Sequence, residues 1–447
     1  MAMKAEQSEE AVAHFDAVLM FGCDIGDTEI LSVANFWKAR CLRMKGEYDK
    51  ALDCTSIAYG LALERGYECM AAVMRVLESW LLFQKSKFKD SLRILGETEA
   101  VLRATDDAVV LGNIQSTYGR IYRQEGRYEQ AVQHFTMAID EYRKLGRPHP
   151  NLARTLANLG YSKRLVALQL HRKMDADLAR RRRAGGHAAG DSQADREHFA
   201  RLRDEAFAHL DEAAVVYAVH PHHHGAGAVH LNRGLLHYDN GALDLAEMEA
   251  DSAFVLGEEK QDLILMARAR ILGSMIENAK VEEGIDEDLR RHAQAALDYS
   301  RDAIEYARGT QNRRLLGRAY TWHGLTLSNE VLNSTDAAIE AMNTAASYLE
   351  HGYHDTAWED VRLLKSRLAK THTVDATLQA WSQGAVGDRT FRQISDEFAA
   401  ILIPKVWELE ERKIARVATK LAISPKKVRR ILVRAGLLQD ADLAPGE

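Results

Sequence analysis

The sequence predicts an all-α chain: a superhelix of stacked helical hairpins, about seven of them, followed by a small helical module at the C-terminal end. Three observations carry that expectation. The segments KGEYDKAL (45–52), KSKFKDSL (85–92) and EGRYEQAV (125–132) place Tyr48, Phe88 and Tyr128 forty residues apart, and a fixed period in that range marks a solenoid of repeated hairpins. Only six of the 447 residues are proline, while Ala, Leu, Arg and Glu are plentiful, a mixture that favours helix. The chain carries a net charge of −6, yet residues 405–434 hold ten Lys or Arg against three acids. A basic end on an acidic body is the charge pattern of a nucleic-acid-binding appendage.

The hairpins follow in order. In each of the three aligned segments a small residue stands three positions after the aromatic: Ala51, Ser91 and Ala131. The stretch 112–145 is the fullest copy, with Gly119, Tyr122, Gly126, Tyr128, Ala131, Phe135 and Ala138. Gly119 and Ala131 let two antiparallel helices approach closely, the three rings fill the space around them, and Gly126 takes the turn, where a positive φ costs it little. A fourth copy holds Asn158 and Gly160 and resumes at 204–217 (Ala206, Leu210, Ala213), split by an insertion. Residues 230–256 give a fifth (Gly234, Gly241, Ala246, Ala253). Looser copies span 264–307 (Gly273, Ala296, Ala303) and 319–349 (Gly324, Ala338, Ala345), and 353–370 supplies a closing helix. The competing reading is a non-repetitive helical bundle, which leaves the forty-residue spacing to chance.

Two segments stand apart. Residues 172–200, with the run Arg180–Arg183 and AGGHAAGDS, interrupt the fourth hairpin and read as a mobile excursion: a solvated loop, or an arm that touches nucleic acid or an acidic partner. The run around His220, His222, His223, His224 and His230 has metal-binding chemistry, but with no acid or cysteine at a ligand spacing it reads as a solvated linker, and no metal is expected. Four cysteines (Cys23, Cys41, Cys54, Cys69) have no C-x-x-C spacing and read as buried thiols of a reducing compartment.

With these motifs in place, residues 10–370 resemble the tetratricopeptide repeat superfamily. The resemblance implies a superhelix whose concave groove, lined by the first helix of each pair, holds a protein or peptide. Asn158 and Asn232 lie two residues before the packing glycines Gly160 and Gly234, on the expected concave side, where a carboxamide can pair with a peptide's N–H and C=O. Arg120, Arg123 and Arg154 add carboxylate recognition. These five are the candidate partner-binding residues.

The domain plan is 1–370 for the repeats, 371–389 for a linker and 390–447 for the C-terminal module. Residues 390–403 read as an amphipathic helix ending before Pro404, with another starting near 404–408. In ARVATKLAISPKKVRRILVRAGLL, Ala418 and Leu421 close one helix, Ala422 and Ile423 turn, and Ser424 caps the next with Pro425 at its first position. Val428, Ile431 and Leu432 form its apolar face, leaving Lys426, Lys427, Arg429, Arg430 and Arg434 exposed. This segment resembles the Fis-type helix-turn-helix of bacterial regulators, with Ala418, Leu421, Ile423, Ser424, Val428, Leu432, Gly436 and Leu437 in step. It departs at Ala422, where that family has Gly, and at Val428, where Leu is commoner. The resemblance implies duplex DNA as ligand of Ser424, Lys426, Lys427, Arg429, Arg430 and Arg434, and dimerisation through the preceding helices. The competing reading is a capping bundle with a solvated basic face.

No P-loop, dinucleotide fingerprint, H-E-x-x-H or nucleophile elbow is present in the sequence, so no catalytic residue and no cofactor is expected, and the chain reads as no enzyme. It has no signal-peptide core and no membrane-length apolar run, which predicts a cytoplasmic protein. The leading expectation is a transcription regulator whose repeat array senses a protein or peptide and controls the basic C-terminal reader. The alternative is an adaptor that assembles a complex and never touches DNA.

Overall fold

A computed structural model describes residues 5–183, 193–284, 288–310, 312–349, 356–372, 390–434 and 437–438. Every regular element among them is helical. The chain divides into two compact units, Met1–Ser366 and Arg367–Glu447.

In the first unit α1 (Ala5–Ile25) leads into seven hairpins: α2 (Thr28–Lys45) with α3 (Tyr48–Glu64), α4 (Glu68–Gln84) with α5 (Phe88–Leu102), α6 (Ala108–Gln124) with α7 (Tyr128–Arg143), α8 (Pro150–Arg183) with α9 (Gln193–Val219), α10 (His223–Asp239) with α11 (Leu243–Glu259), α12 (Leu263–Glu283) with α13 (Leu289–Arg308) and α14 (Arg313–Leu327) with α15 (Thr335–Tyr348). The helix α16 (Thr356–His372) closes the series. The first helices, α2 through α14, also touch one another in succession, so they form one layer and the second helices the other.

What repeats is a pair of small residues seven apart on each second helix: Ala51 and Ala58, Ser91 and Thr98, Ala131 and Ala138, Ala206 and Ala213, Ala246 and Ala253, Ala296 and Ala303, Ala338 and Ala345. All are at most 3% exposed. Residues two turns apart on one face set the closest line of helix contact, and only small side chains permit it. The partner position on the first helix is equally small. A Cβ built on Gly119 would lie 2.8 Å from the Phe135 ring, and one on Gly160 would lie 2.9 Å from the Ala206 carbonyl oxygen. In the second hairpin the same contact is polar: Ser79 and Ser91 hydroxyls meet at 2.9 Å, and Ser91 donates to the Ser79 carbonyl at 2.9 Å.

Left-handed residues punctuate the joints. Gly26, Gly46, Gly66, Ser86, Gly126 and Gly146 all have positive φ, and they fall on a twenty-residue ladder with one rung, at 106, missing. Each helix-plus-turn therefore spans about twenty residues, against about seventeen in a 34-residue tetratricopeptide unit.

Three expectations are corrected here. The insertion is mostly helix: α8 runs on through Arg183 and α9 begins at Gln193, so the fourth hairpin is extended rather than interrupted, and only 184–192 lies outside the described residues. The Arg180–Arg183 side chains are outside the description too. The histidine run is no linker. His222 caps α10, its Nδ1 accepting from the Gly225 amide at 2.9 Å, and His224 Nδ1 meets Asp262 Oδ2 at 2.9 Å; the acid is supplied by the next hairpin, where sequence spacing does not show it. Of the cysteines, Cys41 and Cys54 are buried but Cys23 and Cys69 are exposed.

The second unit holds α17 (Phe391–Leu409), α18 (Ile414–Lys420) and α19 (Pro425–Arg434). They share a core of Ile403, Val406, Trp407, Val417, Ala418, Val428, Ile431 and Leu432. Pro404 does not break the first of these helices, which runs through it to Leu409. Of the expected linker 371–389, the first two residues end α16 at His372, and 373–389 lies outside the described residues, as does Gly436. No described helix is long and apolar enough to cross a membrane.

Candidate functional site

The first helices of the hairpins, joined by Tyr128, Tyr217 and Thr356, surround a cavity of about 830 Å³ in the repeat unit. Its chemistry is one-sided. Arginines enter it from five hairpins: Arg43 from the first, Arg120 and Arg123 from the third, Arg154 from the fourth, Arg268 from the sixth, and Arg314 and Arg318 from the seventh. No Asp or Glu is among the described lining residues. Carboxamides stand between the cations, namely Gln84, Gln124, Asn158, Asn232 and Asn312.

All five residues expected to meet a partner thus come together in one cavity, but three of the side chains are already engaged. Arg123 donates from Nη1 to Asn158 Oδ1 at 2.7 Å, and Asn158 Nδ2 donates to the Arg154 carbonyl at 2.8 Å. Asn232, 7% exposed, donates to the Ala157 carbonyl at 3.4 Å, tying α10 to α8. The carboxamides therefore hold the groove wall, and the arginines are what face into it.

The charges feel one another. Burial, then the neighbouring Arg154 and Arg123, push Arg120 down to about 9. Burial, then Arg40 and Arg154, push Arg43 to about 10, and burial, then Arg318, push Arg268 to about 10. At neutral pH all remain cations. Burial would raise the Tyr161 phenol, but Arg164 and Arg318 outweigh it and hold the group below its ordinary value. The cavity favours negative charge.

Beside the cavity, acids show how this wall receives a carboxylate. Arg164 grips Asp239 with two nitrogens, at 2.5 and 2.9 Å, and Arg172 meets Glu359 at 2.8 Å. Asp360, which accepts from the Trp322 indole at 3.1 Å, lies 4.0 Å from Arg318. By contrast Arg43, Arg120, Arg154 and Arg268 form no ion pair among the described residues. Sequence reading missed Arg43, Arg268, Arg314 and Arg318. The signal was there for two of them: Arg314 and Arg318 stand one helical turn apart, as side chains sharing a face must.

A second basic site lies in the C-terminal unit. Ser424 Oγ accepts from the Lys427 amide at 3.2 Å and so caps α19. Lys426, Lys427, Arg430 and Arg434 are exposed, and Arg429 is half-buried with an unpartnered Nε. Two acids of this unit are committed elsewhere: Glu410 pairs with Lys420 at 2.5 Å, and Glu411 with Lys413 and Arg416 at 2.7 and 3.1 Å. The basic face of α19 therefore has no ion-pair partner among the described residues. Ala422, at the turn before it, has φ 51°, which explains why glycine is the usual residue there in the family the segment resembles.

A family model of the tetratricopeptide repeat matches residues 110–166, spanning α6, α7 and the start of α8. No curated protein matches the chain in sequence. Among solved structures, this repeat protein is similar to the apo form of RapI, at 11% identity and TM-score 0.43, over 90% of this chain and 98% of that one. It is also similar to the human IFIT1 dimer with PPP-AAAA, at 12% identity and TM-score 0.37, over 97% and 95% of the two chains. The TPR domain of P58(IPK) aligns at 12% identity and TM-score 0.25, over 77% and 99%.

Proposed function

We propose that this protein is a DNA-binding regulator without catalytic activity, in which a protein or peptide held in the repeat groove controls a helix-turn-helix at the C-terminal end. The groove half of the reading rests on tetratricopeptide repeat being an interaction module and on a lined cavity within the range of ligand sites, about 300–1,000 Å³. The observation that carries the DNA half is the capped α19, with Lys426, Lys427, Arg430 and Arg434 exposed and without an ion pair among the described residues, while Glu410 and Glu411 pair with Lys420, Lys413 and Arg416. Basic side chains around a helix N-terminus contact phosphates and a few base edges when that helix enters the major groove.

A gel shift of the full chain on random duplex tests it. The wild type shifts the duplex, and replacing Lys426, Lys427, Arg429 and Arg430 by Glu abolishes the shift. Binding weakens as salt rises, with a slope that counts the phosphate contacts. A chain that never shifts duplex, or shifts it equally well after the replacements, is instead an adaptor.

A further inference from the structure

We propose that the occupant of the repeat cavity is an acidic peptide segment, held by its side-chain carboxylates on the seven cavity arginines. The proposal rests on the groove reading above and names the chemistry of what the groove takes. A chain of net charge −6 gathers seven cations from five separate hairpins into one concavity, with no carboxylate among the described lining residues. Like charges held close repel one another, and four of them, Arg43, Arg120, Arg154 and Arg268, have no ion pair among the described residues to offset that. Such a cluster is a standing cost to the fold that an anionic ligand removes on binding.

The ligand class follows from what surrounds the cations. A single-stranded nucleic acid would need open aromatic faces on which bases stack. Here the rings are taken: Arg43 sits 4.9 Å over Trp80, which Tyr48 meets edge-on, Arg123 and Arg164 sit 5.4 and 5.7 Å from Tyr161, Phe83 stacks on Phe88, Tyr217 stacks on His222, and Tyr128 is buried. The carboxamides of Gln84 and Gln124, which match main-chain amides, stand beside the arginines instead. Where carboxylates do reach this wall, at Asp239 and Glu359, they are held by arginine at hydrogen-bond distance, doubly so at Asp239. A peptide with several Asp or Glu repeats that contact along the row of first helices.

The test uses the full chain and three labelled probes, hexaglutamate, hexalysine and hexauridylate, read by fluorescence anisotropy, together with selection of peptides from a random display library on the immobilised protein. Hexaglutamate binds, hexalysine does not, and the library yields acidic sequences that compete with hexaglutamate. Arg154→Glu, an exposed change on the cavity wall, weakens hexaglutamate about tenfold or more, and Arg120→Glu with Arg154→Glu weakens it further. Arg154→Lys keeps most of the affinity, and circular dichroism confirms that each variant is folded. Hexauridylate binding tighter than hexaglutamate overturns the proposal in favour of a nucleic acid. Neutral or basic library peptides seated in the groove overturn the acidic class but leave the peptide groove standing. A library that yields nothing, with no probe bound, sinks both.

Discussion

Arg123 and Asn158 are bonded across successive hairpins, guanidinium to carboxamide at 2.7 Å. The bond turns a residue expected to clamp a partner into one that aims a cation. Asn158→Asp puts a carboxylate where the amide oxygen stands, turning the bond to Arg123 into an ion pair and neutralising one cavity charge, at the loss of the Nδ2 donation to the Arg154 carbonyl. Anisotropy with hexaglutamate should show weaker binding than in Asn158→Ala, which only loosens Arg123. A partner that relied on Asn158 itself would erase that difference, both variants losing affinity equally.

The helix contacts make an opposite pair of predictions for one substitution. Gly119→Ala drives a methyl to 2.8 Å from the fully buried Phe135 ring, and overpacking of this kind costs about 1–3 kcal/mol, less the small gain of Ala over Gly in a helix. Gly60, inside α3, has nothing within 4 Å of the same added atom and no positive φ. Gly60→Ala should therefore stabilise by about 0.5–1 kcal/mol. Denaturant midpoints of the two variants should move in opposite directions. Equal shifts would mean that close approach does not fix the Gly119 position.

The hairpins were legible because their contacts are set by small residues that sequence displays directly. Ala206 with Ala213, Ala246 with Ala253 and Ala296 with Ala303 carry the same seven-residue interval as Ala131 with Ala138, even where the aromatic signal has faded. The groove was legible only in part. Arg120, Arg123 and Arg154 stand in the best-formed repeats, but Arg43, Arg268 and Arg318 are brought to them by stacking of hairpins far apart in the chain, which no local pattern encodes. The histidine run misled for the same reason: Asp262, its partner, is 38 residues beyond His224. Pro404 misled differently. A proline costs a helix about 3 kcal/mol or more, yet Ile403, Val406 and Trp407 are anchored in the core on either side of it, and that burial outweighs the local penalty.

The joints give a further test. Ser86 occupies the rung of the twenty-residue ladder that Gly46 and Gly126 hold in the neighbouring hairpins, at φ 60°. A left-handed conformation costs a residue with a Cβ about 1–2 kcal/mol, a penalty glycine escapes, although glycine loses more entropy on folding. Ser86→Gly should raise the melting temperature, whereas Gly126→Ser, at φ 76°, should lower it. Urea midpoints of both variants check the signs. A fall on Ser86→Gly would show that the serine makes contacts worth more than the strain.

Acid should loosen the sixth and seventh hairpins through one histidine. His323, on α14, meets Ser300 Oγ at 2.8 Å, and burial, with Arg301 adding to it, pulls its value down from 6.5 to about 4. The folded protein therefore holds the ring neutral while the unfolded chain protonates near its ordinary value. Between those two values the unfolded state binds more protons, so stability is full above about pH 6.5 and is lost as pH falls toward 4. The whole effect is at most about 3 kcal/mol. His323→Gln keeps a hydrogen-bonding group for Ser300 but removes the titration. Chemical denaturation at pH 7.5 and 4.5 should show a smaller difference for the variant than for the wild type. An unchanged difference would place the acid sensitivity on other groups, of which Asp262 is set apart by its range: burial opposes its ionisation, but its bonds to His224 and to the Leu265 amide outweigh that and hold it at about 2. Its stability is lost only on falling from about 4 toward 2, below the window tested here.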